Sequence, residues 1–396
     1  MKYYAEIINE NGNIAVDDTI LVKDYLSSAG SKILDGYKPL FSAEAVERLE
    51  NKGYSISGKT NVGEFALDLV GEFSYYNDIK DGDTLKGAAS ELVKQGKVKA
   101  ALGVDMNGAT RRAAALSDVS FLKPTYGTVS RYGVISCAAS GEQLGVYANS
   151  ADDIAEIMSV IAGNDKKDGT SLPEISYTYN TNEDVNGKKV CIVKELFDKA
   201  DENTKAKITA FADALKAQNV LVEEISIDIF EVANTAWQIL MTAETCNNVS
   251  RYDGVKYGHR SENYKNIDEL YVNSRTEGFN FLTKAVILYG SEMLSKSRYA
   301  DCYDKALKVR RVVSDVMNTL FEKYDAILTP VCSKCEYTSY DIKDAFTKVF
   351  EESVFTAVPN LIGIPALSTN SVQLMSKAFC ESTLLSLAKA VERKGE

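Results

Sequence analysis

One segment, in which a strand, a helix and a second strand follow in close succession, constrains the fold of this chain most. Residues 189–193 (KVCIV) form a short β-branched run, Ile208, Phe211, Ala212 and Leu215 recur at helical spacing, and residues 220–225 (VLVEEI) return to a strand-like run. One element cannot satisfy periods of two and 3.6 residues at once, so the segment reads as a βαβ unit, which needs parallel strands and a helix packed on the sheet. The alternation recurs along the chain. An amphipathic stretch from Ser42 through Asn51 stops at Gly53 and precedes a strand over 54–57. Ser150 and Asp153 make a capping-box-like start ahead of Ile154, Ile157, Met158 and Ile161. Val309, Val312, Val316 and Leu320 stripe a long helix before a strand over 326–329. The expected class is α/β, organised as one domain over residues 1–396, with the polar stretch 165–186 as a surface crossover and no internal repeat.

Charge and composition narrow the function. A net charge of -11 and an isoelectric point near 5.0 argue against a surface that grips nucleic acid, because neutralising phosphates supplies most non-specific affinity. Seven irregularly spaced cysteines, no signal-like start and no long apolar run predict a reduced, cytoplasmic protein without membrane contact. The single histidine, His259, leaves no set of residues for a histidine-based triad or metal centre, and no cofactor is expected. Cys332 and Cys335 form a lone C-x-x-C pair and read as incidental loop cysteines. Gly103, Asn107 and Gly108 make a glycine-containing turn without the Lys-Ser/Thr of a phosphate cradle.

Seven runs then follow in a fixed order: 58–66 (GKTNVGEFA), 123–133 (KPTYGTVSRYG), 251–258 (RYDGVKYG), 274–279 (SRTEGF), 308–311 (KVRR), 325–330 (DAILTP) and 360–368 (NLIGIPALS). Together they resemble the amidase signature family, and within it the glutaminase subunits of tRNA-dependent amidotransferases. The resemblance implies a central mixed β-sheet covered by helices on both faces, and a triad of serine, cis-serine and lysine. Asn107, Gly108, Ala109, Thr110 and Arg111 match the family's Gly-Gly-Ser-Ile-Arg run, so Ala109 stands at the nucleophile position. A methyl group has no lone pair to attack a carbonyl. Counting back without gaps puts Leu85 at the cis-serine, with Ser90 read as a helix residue. Lys23, in the run Ile20, Leu21, Val22, Lys23, Asp24, matches the lysine's hydrophobic-Lys-Asp context at an early strand end. Asp105, Asn107, Gly108, Thr110, Arg111 and Trp237 are the candidate ligand-binding residues, and Lys23 is expected either to be charged and paired, with Asp105 the nearest candidate, or to be solvated in a cleft open to an anionic ligand. The family's carboxylate clamp and ammonium-binding aspartate fall in runs that here read Lys284, Ala285, Val286 and Glu352, Ser353, Val354, Phe355, Thr356. The N-terminal helical region and the strand region after Ser368 read as trimmed relative to the family pattern.

On these residues the expectation is an amidase-like pseudoenzyme, a non-catalytic scaffold, regulator or ligand sensor that associates with partners resembling the B- or C-type subunits of an amidotransferase. The alternative is an active amidase or amidotransferase using a displaced Ser or Thr nucleophile, Thr110 or Ser90, with Lys23. In that alternative Thr110 is expected to need a rebuilt backbone, since one step along a helix turns a side chain away from its predecessor.

Overall fold

A computed structural model describes residues 3–76, 80–81 and 83–392. Its strands are β1 (Tyr4–Ile7), β2 (Ile14–Asp17), β3 (Ile56–Thr60), β4 (Lys80–Asp81), β5 (Thr84–Leu85), β6 (Ala100–Asp105), β7 (Ser120–Lys123), β8 (Gln143–Ala148), β9 (Lys189–Val193), β10 (Leu221–Ile225), β11 (Ala326–Pro330), β12 (Ala366–Thr369) and β13 (Val372–Met375). All but β4 and β5 join one 11-stranded mixed sheet in the order β1-β3-β2-β6-β8-β7-β12-β13-β11-β9-β10. The helices used below are α1 (Glu44–Asn51), α2 (Ala88–Lys94), α3 (Ala109–Ser117), α4 (Ala151–Ile161), α5 (Lys194–Lys199), α6 (Glu202–Lys216) and α7 (Phe230–Asn248).

Alternation along the strands sorts side chains between two cores, as a pleated sheet buried on both faces requires. On one face Ile14, Val16, Leu102, Val146 and Leu374 pack against α1, α4, α6 and the helix Glu381–Glu392. On the other, Ala15, Ala101, Phe121 and Tyr147 pack against α2 and α3, while Cys191, Ile327 and Met375 pack against α7. The expected βαβ unit is present, with β9 and β10 paired in parallel across α6. The first predicted helix spans α1 and the following strand begins two residues later than expected, at Ile56.

One expected element is absent. Residues 20–24 do not form a strand end; Ile20 makes a single bridge to Val134, Leu21 and Val22 are irregular, Lys23 and Asp24 are turn, and the early strand closes earlier, at Asp17 of β2.

Candidate active site

The site grows from the end of β6. Asp105 closes that strand, residues 106–108 turn, and α3 begins at Ala109. Gly108 adopts φ +83, a left-handed conformation that costs a side-chain-bearing residue, and a Cβ there would lie 2.4 Å from the Thr356 Cβ. Both facts require glycine. Every residue of α3 is buried, Arg111 and Arg112 included.

Arg111 forms the structural hub. Its Nε and Nη2 donate to the two oxygens of Asp105 at 2.9 and 3.0 Å, while Nη2 also reaches the Thr356 carbonyl at 3.0 Å and Asn360 Oδ1 at 2.5 Å, and Nη1 donates to Gln373 Oε1 at 2.6 Å. Burial would raise the Asp105 carboxyl, but the guanidinium, with the Thr110 hydroxyl and the Asn360 amide, holds it well below the usual carboxylate range. Asp105 is therefore ionised and already paired, and the partner expected in Lys23 is Arg111. Asn107 is buried beside this hub, its Oδ1 accepting from the Trp237 indole at 3.2 Å. Trp237 in turn fills the space over Gly141, where a Cβ would approach its ring to 2.1 Å.

Ala109, Thr110 and Ala113 of α3 line a narrow cavity together with Asp17, Asp68, Gly87, Ala88, Ala89 and Tyr147. About 30 Å³ of it is open to the centre of a water-sized sphere, room for a water or a small functional group. Beside three of these lining residues Gly103 of β6 has no side chain, and a Cβ there would meet Tyr147 at 2.8 Å, Asp17 Oδ2 at 3.0 Å and Thr110 Cγ2 at 3.1 Å. The missing side chain lets these three converge. Burial pushes the Asp17 carboxyl up to about 7, against a 2.8 Å hydrogen bond from Thr60 Oγ1 and a backbone hydrogen bond from Val104 that favour the charged form. The Thr110 hydroxyl donates to Asp105 Oδ2 at 2.5 Å, leaving its methyl toward Gly103.

Two sequence assignments do not fit this geometry. Lys23 is exposed on the turn after β2, its backbone N–H donating to Ser42 Oγ at 3.0 Å, and it does not line the cavity; the residue that closes the early strand there is Asp17. Leu85 lies in β5 with its N–H on the Tyr337 carbonyl at 2.9 Å, packed among Leu69, Val70 and Leu116, while Gly87, Ala88 and Ala89 supply that wall. Ser90 is a residue of α2, as expected, and its hydroxyl bonds Gly87 O and Ser117 Oγ. A fully buried lysine close to Asp17 is Lys59, which donates to Ser27 Oγ at 2.5 Å and sits 3.2 Å from Asp18 Oδ1. Sequence reasoning missed both Asp17 and Lys59, although Lys59 lies in the 58–66 run. Among the described residues no group of three or more His, Cys, Asp or Glu side chains could hold a metal.

A family profile described as Amidase matches residues 13–385, and the chain belongs to that family. The A subunit of glutamyl-tRNA(Gln) amidotransferase from Sulfurihydrogenibium sp. is 35% identical over 95% of this chain and 81% of its own length, and that from Streptococcus mutans is 34% identical over 96% and 82%. The crystal structure of the A subunit from Thermotoga maritima superposes with a TM-score of 0.80 at 29% identity, covering 96% of this chain and 82% of that one. The peptide amidase of Stenotrophomonas maltophilia, at 20% identity and TM-score 0.77, shares the fold. The match overturns the expectation of a pseudoenzyme: a relationship this extensive to proteins named as amidotransferase subunits points to an enzyme. It does not return a nucleophile to residue 109. Chemistry in this cavity has to run through its other groups.

Proposed function

We propose that the chain cleaves an amide of a small substrate, or transfers its nitrogen, with Thr110 as the displaced nucleophile and Asp17 in the role expected of Lys23. The carrying observation is that Thr110 and Asp17 flank Gly103 in the cavity that Ala109 lines, with the Asp17 carboxyl pushed up to about 7. A base is most useful when its pKa lies near the working pH, because it is then both available and strong enough. The expected rebuilding of the backbone for Thr110 is unnecessary, since residues 109 and 110 of the first turn of α3 both face the cavity. One χ1 step of about 120° carries Oγ1 into the place the methyl now holds, moving it from Asp105 toward Asp17.

In this scheme Oγ1 attacks the amide carbon while its proton passes to the Asp17 carboxylate. Asp17 then returns that proton to the departing nitrogen as the C–N bond breaks, leaving an acyl ester on Thr110. Water releases the acyl group through the same carboxylate, and in a transfer reaction the expelled ammonia is what passes to the acceptor. Arg111, Asn107 and Gly108 hold the turn from which α3 starts, and Trp237 fixes Asn107.

The relatives are named as subunits, which supports for this chain too a protein partner of the amidotransferase B- or C-type. The cytoplasmic setting belongs to the same proposal and is supported by seven cysteines, none of them in a disulfide. No helix among the described residues is long and apolar enough to cross a membrane. The net charge of -11 favours a partner, rather than this chain, as the surface that holds RNA.

Ammonia release from a panel of primary amides, alongside labelling by a fluorophosphonate probe, tests the scheme. Turnover should fall at least about 100-fold in both Thr110→Ala and Asp17→Asn. Turnover that survives Thr110→Ala would overturn it, as would labelling at another residue.

A further inference from the structure

In the proposed reaction Asp17 handles the proton, and the amide oxygen, which takes on negative charge as Thr110 attacks, still needs a donor. Away from water that charge is stabilised chiefly by fixed dipoles aimed at it. Tyr147 of β8 lines the same cavity. Its ring is buried, only 3% exposed, and is held against Phe121 of β7 with the two centroids 4.4 Å apart. A Cβ on Gly103 would lie 2.8 Å from Tyr147 Cε2, the ring atom beside the one that bears the hydroxyl. The phenol end of the ring therefore meets the corner where Asp17 Oδ2 and the Thr110 methyl converge, and it is into the place of that methyl that Oγ1 turns for attack.

Burial, followed by the fields of the Asp17 and Asp105 carboxylates, pushes the Tyr147 phenol well above its ordinary range, against the opposing effect of the Thr110 hydroxyl. The group stays protonated through the neutral range, a donor and not a second base. Other polar side chains of the lining are engaged elsewhere. Asn61 Oδ1 accepts from Ser74 Oγ at 2.6 Å, and the two oxygens of Asp68 accept from the Gly71 and Phe73 N–H groups at 2.9 and 2.7 Å.

We propose that Tyr147 is a further catalytic residue, the hydroxyl donor that holds the amide oxygen through the tetrahedral intermediate. The assignment rests on Thr110 as nucleophile and Asp17 as base. As the bond from Thr110 Oγ1 to the amide carbon forms, the carbonyl π pair moves onto oxygen, and the phenol O–H donates to it without giving up its proton. When that pair returns to re-form C=O, the C–N bond breaks and the nitrogen leaves with the proton held by Asp17. A ring already clamped by Phe121 loses little freedom in making this contact.

Steady-state kinetics of Tyr147→Phe on primary amides from formamide to butanamide, beside Thr110→Ala, test the assignment. The phenylalanine variant should lose about 100- to 1,000-fold in kcat with KM nearly unchanged, because the bond strengthens only as charge develops. Fluorophosphonate should still label Thr110 in it, more slowly. A kcat close to that of the unaltered chain, or a loss confined to KM, overturns the role of Tyr147 and leaves that of Thr110 standing. Turnover that survives Thr110→Ala, or none by the unaltered chain, defeats the underlying scheme instead. Should Tyr147→Phe fail to fold, the infrared carbonyl stretch of the acyl ester on Thr110 of the unaltered chain decides. It is expected below that of the same ester in water, and a frequency at or above that value overturns the assignment.

Discussion

Asp17 carries two burdens of opposite sign. In the unfolded chain its carboxyl ionises near the ordinary aspartate value of ~4, whereas in the fold it does so at about 7. Between those values the folded state holds a proton that the unfolded state has lost, so stability falls as pH rises through that window and stays low above it. Asp17→Asn removes the cost. It is expected to raise the melting temperature at pH 8, by on the order of 1 kcal/mol or more of stability, and to change it little near pH 4, while turnover is lost. A calorimetric scan at the two pH values checks this, and a variant less stable than the parent at pH 8 would contradict a buried carboxylate whose hydrogen bonds do not offset its desolvation. In the active chain the rising limb of kcat/KM should fall near pH 7, because the base must be ionised. Residue identity misled the sequence reading here. Two apolar runs, Ile14 to Val16 and Ile20 to Val22, each end in a charged pair, Asp17–Asp18 and Lys23–Asp24, and the search for a lysine selected the second. Only strand pairing shows that the first run enters the sheet, between β3 and β6.

At the scale of elements, periodicity was a good guide wherever a helix or strand carries its own hydrophobic face. β9, α6, β10, α4 and β11 fall close to where the sequence places them. Counting back from Ala109 was no guide to the segment around Leu85, whose position depends on a pairing with the distant residues Tyr337 and Thr338 that no local pattern reveals. The turn into α3 could be read as a glycine requirement but not as a packing one, because Thr356 arrives from 248 positions further along the chain. Gly108→Ala joins a left-handed backbone to a clash with that threonine. The substitution should destabilise the fold by about 1–3 kcal/mol and weaken probe labelling at Thr110. Adding Thr356→Gly should recover part of the loss by removing the clash, leaving the backbone strain. Denaturant melts of the single and double variants separate the two contributions, and full recovery in the double variant would show that strain contributes nothing.

The molecule as a whole presents an acidic surface with apolar side chains left in the open. Val272, Leu288 and Val312, on the helices Ile267–Gly278, Phe281–Met293 and Lys305–Phe321, are 62%, 72% and 54% exposed. Purification of a tagged chain from its own cell should bring down an amidotransferase-like partner, with tRNA present only when that partner is. Direct tRNA binding by the isolated chain at physiological salt would defeat this, since a net charge of -11 repels phosphate. The Arg111 hub also sets a clock on how such a molecule is made. Asp105 and Arg111 leave the ribosome together, but the Thr356 carbonyl and the Asn360 and Gln373 side chains that complete the hub follow 245, 249 and 262 positions later. At roughly 5–20 residues per second, that is a delay of about 12 to 50 seconds. For that interval the guanidinium has one carboxylate and no roof. The nascent chain can pair β6 with its neighbours, but it cannot close α3 over them until nearly all of the sheet has been synthesised.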